Sequence, residues 1–124
     1  MLKAAVVIRE PGGLKPMSWY TFMFPELPRL GDYLSIGGPD IRAPLGEDVV
    51  VRRVWWRLNH LAAGAPAEEE GPGHVTEVFI ECDIAEGPYA CAAWHQEIAQ
   101  ARERGVLVEK FEVTRSLLGT AKRD

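Results

Sequence analysis

Two segments of this chain, Glu47 to His60 and His74 to Ile84, mirror each other in the order of their apolar and charged residues. When residues whose numbers sum to 134 are set opposite each other in an antiparallel pair, five complementary pairs form at once. The pairs are Arg53 with Glu81, Trp55 with Phe79 and Arg57 with Glu77 on one face, and Val54 with Ile80 and Trp56 with Val78 on the core face. A slip of one residue would turn every side chain to the wrong face. The sequence therefore predicts a long hairpin here.

Length and composition predict one folded domain over residues 1–124. Hydrophobic residues make up 47% of the chain and charged residues 26%, as in ordinary globular domains. A chain of this length can bury a substantial core. The net charge of -4 disfavours nonspecific binding to nucleic acid or to an anionic membrane surface.

The N-terminal residues do not resemble an export signal. The apolar run from Met1 to Ile8 is too short for a signal-peptide core, and Arg9 interrupts it at once. No later stretch is long enough to span a bilayer. We therefore expect a soluble, cytoplasmic protein without a membrane partner, in which Cys82 and Cys91 are reduced thiols.

Short strands separated by Gly and Pro are predicted before the hairpin. Leu2 to Arg9 has the two-residue period of a half-buried strand. Residues 17–24 are apolar on both faces, which predicts a strand in the centre of the sheet, and residues 31–36 predict another short strand. Segments 37–46 and 62–73 predict mobile loops, and the chain ends in a polar tail.

One long amphipathic helix is predicted between Pro88 and Gly105, since Cys91, Trp94 and Ile98 recur at helical spacing. The expected fold is α+β, with five to six strands in a strongly bent, mostly antiparallel sheet or a small barrel. A ferredoxin-like variant is the alternative, because the strand, helix and strand over residues 74–113 could form a crossover unit. The absence of a first helix counts against it.

The same register sets His60 opposite His74. Opposed side chains in an antiparallel pair are close enough for two imidazoles to share a metal ion, and Glu68, Glu69 or Glu70 could supply a third ligand. This end of the hairpin is thus a candidate metal site, or the site of a small enzyme. The competing interpretation is that the two histidines simply cap the end of the hairpin.

No motif predicts a cofactor or a catalytic residue. The chain has no Gly-rich phosphate loop, no G-x-S-x-G elbow and no H-E-x-x-H pair. Cys91 and His95 have the spacing of one helical face, but Cys91 lies on the apolar stripe, where an inert thiol is expected. The basic and aromatic run from Arg52 to Arg57 resembles a nucleic-acid platform, yet the opposing glutamates neutralise it.

The predicted face that carries Trp55 and Phe79 is the candidate interface. Aromatic residues rimmed by charges often mark a binding surface, and a two-fold dimer needs only one self-complementary patch. We therefore expect a small, non-catalytic interaction module that self-associates, while a small-molecule or protein ligand stays open as a further partner. The residues of this interface are Trp55, Phe79, Arg53, Arg57, Glu77 and Glu81.

The run from Phe24 to Tyr33, which contains Leu-Pro-Arg-Leu-Gly-Asp, is followed by the strand residues Val51 to Leu58. Together they resemble a pattern in uncharacterised small bacterial proteins, some of which are carried on mobile gene cassettes. The resemblance covers about half of the chain and implies no catalytic residue or ligand. Within the motif, Pro28 fixes the backbone and Gly31 permits the turn into the next strand.

Overall fold

The structure is a computed structural model, and it describes residues 1–13, 15–38, 46–61, 63–64 and 71–111. The described residues form six strands and one helix. These are β1 (Leu2–Arg9), β2 (Pro16–Phe24), β3 (Tyr33–Ile36), β4 (Glu47–Asn59), β5 (His74–Glu86), α1 (Ala92–Glu103) and β6 (Glu109–Lys110). Most of the two predicted mobile loops and the whole polar tail lie outside the described residues.

The strands form a curled, mixed sheet with the shape of a half-barrel, in the order β2-β1-β5-β4-β3 with β6 added on β5. The pairs β1–β2, β3–β4 and β4–β5 are antiparallel, whereas β1–β5 and β5–β6 are parallel. The predicted combination of a bent sheet and a helix is confirmed. The described strands do not close into a barrel, because β2 and β3 end the sheet as its two edges.

The ferredoxin-like alternative is wrong, although one part of it is present. Strand β5, helix α1 and the parallel strand β6 form the predicted strand–helix–strand crossover. However, β1 leads into the antiparallel neighbour β2, where a ferredoxin-like fold has a helix. None of the helices in the described ranges is long and apolar enough to cross a bilayer.

The hairpin of β4 and β5 has the predicted register over its central part, from the pair Arg53–Glu81 to the pair Arg57–Glu77. Irregularities in the ladder flank this part, one between Val51 and Arg53 and the other between Arg57 and Leu58. At the first one, the extra residue Arg52 shifts the register by one. Both neighbouring arginines thus reach acidic side chains of the same face, while Val51 stays buried against Cys82.

The hydrophobic core lies between α1 and one face of the sheet, which we call the inner face. Strand β1 contributes Ala4, Val6 and Ile8, as its two-residue period predicts, and β5 contributes Ile80, Cys82 and Ile84. The helix covers them with Trp94, Ile98 and Ala101, which are all buried at the predicted helical spacing.

The helix is shorter than predicted, at 12 residues, and it begins after Cys91 instead of at Pro88. Asp48, which is 3% exposed, accepts a hydrogen bond from the Tyr89 backbone N–H on its Oδ2 at 3.1 Å. This bond, and that from Cys91 N to the Gly46 carbonyl, hold residues 87–91 in a turn. The predicted end is correct, since α1 stops before Gly105, whose φ is +84°.

Asp48 joins the start of β4 to the turn before α1. Its backbone carbonyl accepts a hydrogen bond from Trp94 Nε1 at 2.9 Å, so the same residue also positions the largest side chain of the helix. Gly87 approaches so closely that an added Cβ would lie 2.3 Å from Asp48 Oδ2. The hydrogen bond from Trp94 and the close packing of Gly87 on Asp48 fix the helix against the sheet.

We expect Asp48→Ala to destabilise the fold by about 1 kcal/mol, because the Tyr89 N–H loses its acceptor at a part-buried position. Urea unfolding followed by tryptophan fluorescence measures the change. Asp32→Ala is the matched control, since Asp32 also accepts one backbone N–H, from Arg29, but is exposed to water that can replace it. An equal loss in both variants would contradict the role assigned to Asp48.

Candidate interaction surface

The sheet face opposite α1, which we call the outer face, carries apolar side chains of four neighbouring strands, two of them largely exposed. Trp19 of β2 pairs with Val7 of β1, while Phe79 of β5 pairs with Trp55 of β4 and with Ala5 of β1. Trp19 is 63% exposed and Trp55 is 52% exposed, whereas Val7 and Phe79 are half-buried. We call Trp19, Val7, Phe79 and Trp55 the outer strip.

Three of the four residues of the outer strip border a depression of about 650 Å³. Phe79 and Val7 line it together with Trp55, and charged side chains of β4 and β5 surround the apolar residues. The charged residues that line it are Arg9, Arg57, Glu77 and Glu81. An apolar depression with a polar rim has the composition of a protein-binding surface.

Trp55 is held in place by Glu81. The indole Nε1 donates a hydrogen bond to Glu81 Oε2 at 2.7 Å, and the other carboxylate oxygen lies 3.5 Å from Arg53 Nε and 3.8 Å from Arg9 Nη1. Glu81 therefore shares its charge among three neighbours. An exposed ring that is already oriented loses little conformational entropy when it binds a partner.

Arg57 and Glu77 face each other across the hairpin, and both are exposed. Among the described residues, neither charged group makes a hydrogen bond or an ion pair with another side chain. This pair therefore differs from Arg53 and Glu81, at the other end of the central part of the hairpin, whose charged atoms are 3.5 Å apart. The charges of Arg57 and Glu77 stay available to a binding partner.

The far end of the outer face is covered by the chain itself. Arg52 Nε bonds to Asp83 Oδ2 at 3.0 Å and its Nη2 lies 2.9 Å from Glu109 Oε2. Tyr33 donates a hydrogen bond to Glu109, and its ring centre lies 4.9 Å from that of Phe111. The outer strip is thus the part of this face that β6 leaves uncovered.

The hydrogen bond between Tyr33 and Glu109 shifts the pKa of both residues. The hydrogen bond to the Tyr33 hydroxyl, helped by Arg52, lowers the pKa of Glu109, while the Glu109 carboxylate raises the pKa of Tyr33. The contact therefore needs an ionised glutamate and a protonated tyrosine. A lowered carboxyl pKa contributes stability above the pKa of the unfolded chain, and that stability disappears as the pH falls.

We expect Glu109→Gln to reduce the loss of stability between about pH 5 and pH 3, because the variant lacks the carboxylate whose protonation breaks the contact. Thermal unfolding of both proteins over this range measures the difference. Glu103→Gln, at the exposed end of α1, is the control. Parallel curves for wild type and Glu109→Gln would contradict the assignment.

The predicted pairing of His60 with His74 is wrong. The second irregularity, between Arg57 and Leu58, shifts the register by one, so that Asn59 lies opposite His74. The Nε2 atom of His60 is instead 2.8 Å from the Gly71 carbonyl and donates a hydrogen bond to it. No group of three potential metal ligands occurs in the described part of the chain, while the proposed third ligands Glu68, Glu69 and Glu70 lie outside it.

The two cysteines do not form a disulfide with each other. Burial raises the pKa of the Cys82 thiol to about 12, which leaves it protonated and unreactive at neutral pH. Cys91 is half-buried at the residue before α1, and its carbonyl accepts the His95 N–H. The His95 ring lies 3.8 Å from Glu86. In the described structure no hydrogen bond joins the Cys91 thiol to that ring.

Two tryptophans differ from their predicted environments. Trp56 pairs with the buried Val78, as predicted, but it is 50% exposed because α1 does not extend to this end of the hairpin. The apolar pattern predicts Trp19 in a central strand, whereas β2 is an edge strand and leaves its ring uncovered. The lack of any charged residue from Pro16 to Phe24 is the signal that could have identified β2 as part of a binding surface.

Comparison with known proteins gave no match: no protein-family model, no curated protein and no solved structure matches this chain. The resemblance of the segments around Pro28 and Trp55 to small bacterial proteins therefore stays a prediction.

Proposed function

We propose that this protein is a non-catalytic interaction module that self-associates through the outer strip. The observation that carries the proposal is the 52% exposure of Trp55, which lies beside Phe79 on the outer face and lines an apolar depression. Three of the four tryptophans of the chain are at least half exposed. Aromatic residues are enriched at the centres of protein interfaces, where they provide most of the binding energy.

A second copy of this chain is the partner that the rim charges favour. The charged residues that line the depression are two arginines and two glutamates, Arg9, Arg57, Glu77 and Glu81, so the formal charge of its rim is balanced. A strongly acidic or basic partner would meet charges of its own sign on half of this rim. A surface of balanced charge can match itself across a two-fold axis, which is the commonest symmetry of protein assemblies.

We also infer a bacterial, cytoplasmic protein. The resemblance around Pro28 supports the bacterial origin, and the two unpaired cysteines fit a reducing compartment.

We expect Trp55→Lys to weaken self-association by about 2 kcal/mol or more, which is roughly a 30-fold increase in the dissociation constant. The lysine removes the central apolar side chain and introduces a charge that would be buried in the dimer. It keeps a donor for Glu81, so the monomer should stay folded. Sedimentation velocity over a range of protein concentrations measures the change.

Tyr89→Lys is the matched control. Tyr89 is an aromatic residue of similar exposure, 58%, but it lies in the turn before α1, away from the outer strip. This variant should associate like wild type. A monomeric wild type at high protein concentration, or an unchanged dissociation constant in Trp55→Lys, would refute the proposed function.

A further inference from the structure

We propose that the two-fold axis of the dimer runs parallel to β4 and β5 and midway between them, so that β4 of each copy packs over β5 of the other. This inference rests on the proposed self-association. It adds the orientation of the partner and the contacts that determine this orientation.

The central part of the hairpin presents a grid of two columns and three rows on the outer face. The register fixes its rows, and the direction of the strands fixes its columns. The β4 column contains Arg53, Trp55 and Arg57, and the β5 column contains Glu81, Phe79 and Glu77. All the bases thus lie in one column and all the acids in the other.

A rotation about an axis parallel to the strands exchanges the two columns and keeps the rows. Arg57 then lies opposite the partner's Glu77, and Arg53 lies opposite the partner's Glu81. Trp55 lies over the partner's Phe79, at the depression of about 650 Å³ that the aromatic pair borders. Every row therefore has a complementary contact, and each contact occurs twice.

The other way to stack the two faces uses an axis perpendicular to the strands, through the row of Trp55 and Phe79. This rotation exchanges the rows and keeps the columns. Arg53 would lie opposite the partner's Arg57, and Glu77 would lie opposite the partner's Glu81. Since like charges that face each other across an interface repel, the arrangement of the grid selects the first axis.

Arg57 and Glu77 form the row that gains the most new ion-pair energy from the partner. Glu81 already contacts Trp55, Arg53 and Arg9, so a further charge adds little at that carboxylate. Arg57 and Glu77 make no side-chain ion pair within the part of the chain that the structure describes. Their charges can therefore be satisfied by the partner without breaking an existing contact.

Single charge reversals test the orientation. In Arg57→Glu, the proposed axis sets the introduced carboxylate opposite the partner's Glu77 twice, so the dissociation constant should rise roughly tenfold at low salt. The perpendicular axis would set that carboxylate opposite the partner's Arg53, and the dissociation constant should fall. Sedimentation equilibrium of wild type and variant distinguishes the two signs. Arg104→Glu, at an exposed position beside α1, controls for net charge.

A mixing experiment separates the dimer contacts from effects on the monomer. Arg57→Glu and Glu77→Arg each place two like charges across their own hairpin, so both monomers have the same internal defect. When the two variants are mixed, the proposed axis restores both opposite-charge contacts of this row in the heterodimer. The perpendicular axis gives the heterodimer as many repulsive contacts as either homodimer.

Native mass spectrometry of the mixture measures the relative amounts of the two homodimers and the heterodimer. We expect the heterodimer to exceed clearly the half that random pairing gives, and the double variant Arg57→Glu with Glu77→Arg to dimerise like wild type. Random pairing, or tighter association of Arg57→Glu, would overturn the orientation while the response of Trp55→Lys still supports self-association. A monomeric wild type would overturn both proposals.

Discussion

The register of the β4–β5 hairpin is the constraint on which the rest of the structure depends. Strand β5 pairs with β4, β1 and β6, so a shift of its alternation would move every neighbouring strand as well. If β5 slipped by one residue, Glu81 would turn from Arg53 and Arg9 toward the core, at a cost of several kcal/mol for the buried charge that lost its partners. At the extra residue Arg52 the register also has to place two consecutive arginines on the same face. Two consecutive arginines cannot share one face of a regular strand, and the irregularity lets both contact acidic residues while the valines before them stay in the core.

The parts of the fold that follow from local patterns were predictable from the sequence. The central register of the hairpin, the inward face of β1 and the end of α1 each follow from residues close to the element. The start of α1 depends instead on Asp48, which is 41 residues before Tyr89. The edge position of β2 depends on which strands pair, and its apolar residues are equally compatible with a central strand. These errors share one physical cause, since non-local contacts decided each outcome.

The candidate site shows the same division between local and non-local information. Mirror symmetry in the sequence was sufficient to place Trp55, Phe79 and their four charged neighbours together on one face. It failed three residues further along the strand, because the irregularity after Arg57 separated the histidine pair without leaving a sign in the apolar pattern. Trp19 was missed as a member of the outer strip for a related reason. It joins the other aromatic residues only through β1, which no local pattern links to β5.

The uncovered outer strip follows from the lengths of the elements. Strands β4 and β5 each contain 13 residues and extend about 43 Å, whereas α1 with 12 residues extends about 18 Å. One such helix covers part of the inner face, and the segment from Glu109 to Phe111 covers one end of the outer face. In an ordinary antiparallel sheet, the face that is exposed to solvent carries polar side chains. This chain has tryptophans there instead, one of them fixed by a hydrogen bond to Glu81. An oriented and exposed indole adds little to the core of the monomer, and this is the physical basis of our proposal that Trp55 packs against another copy of the chain.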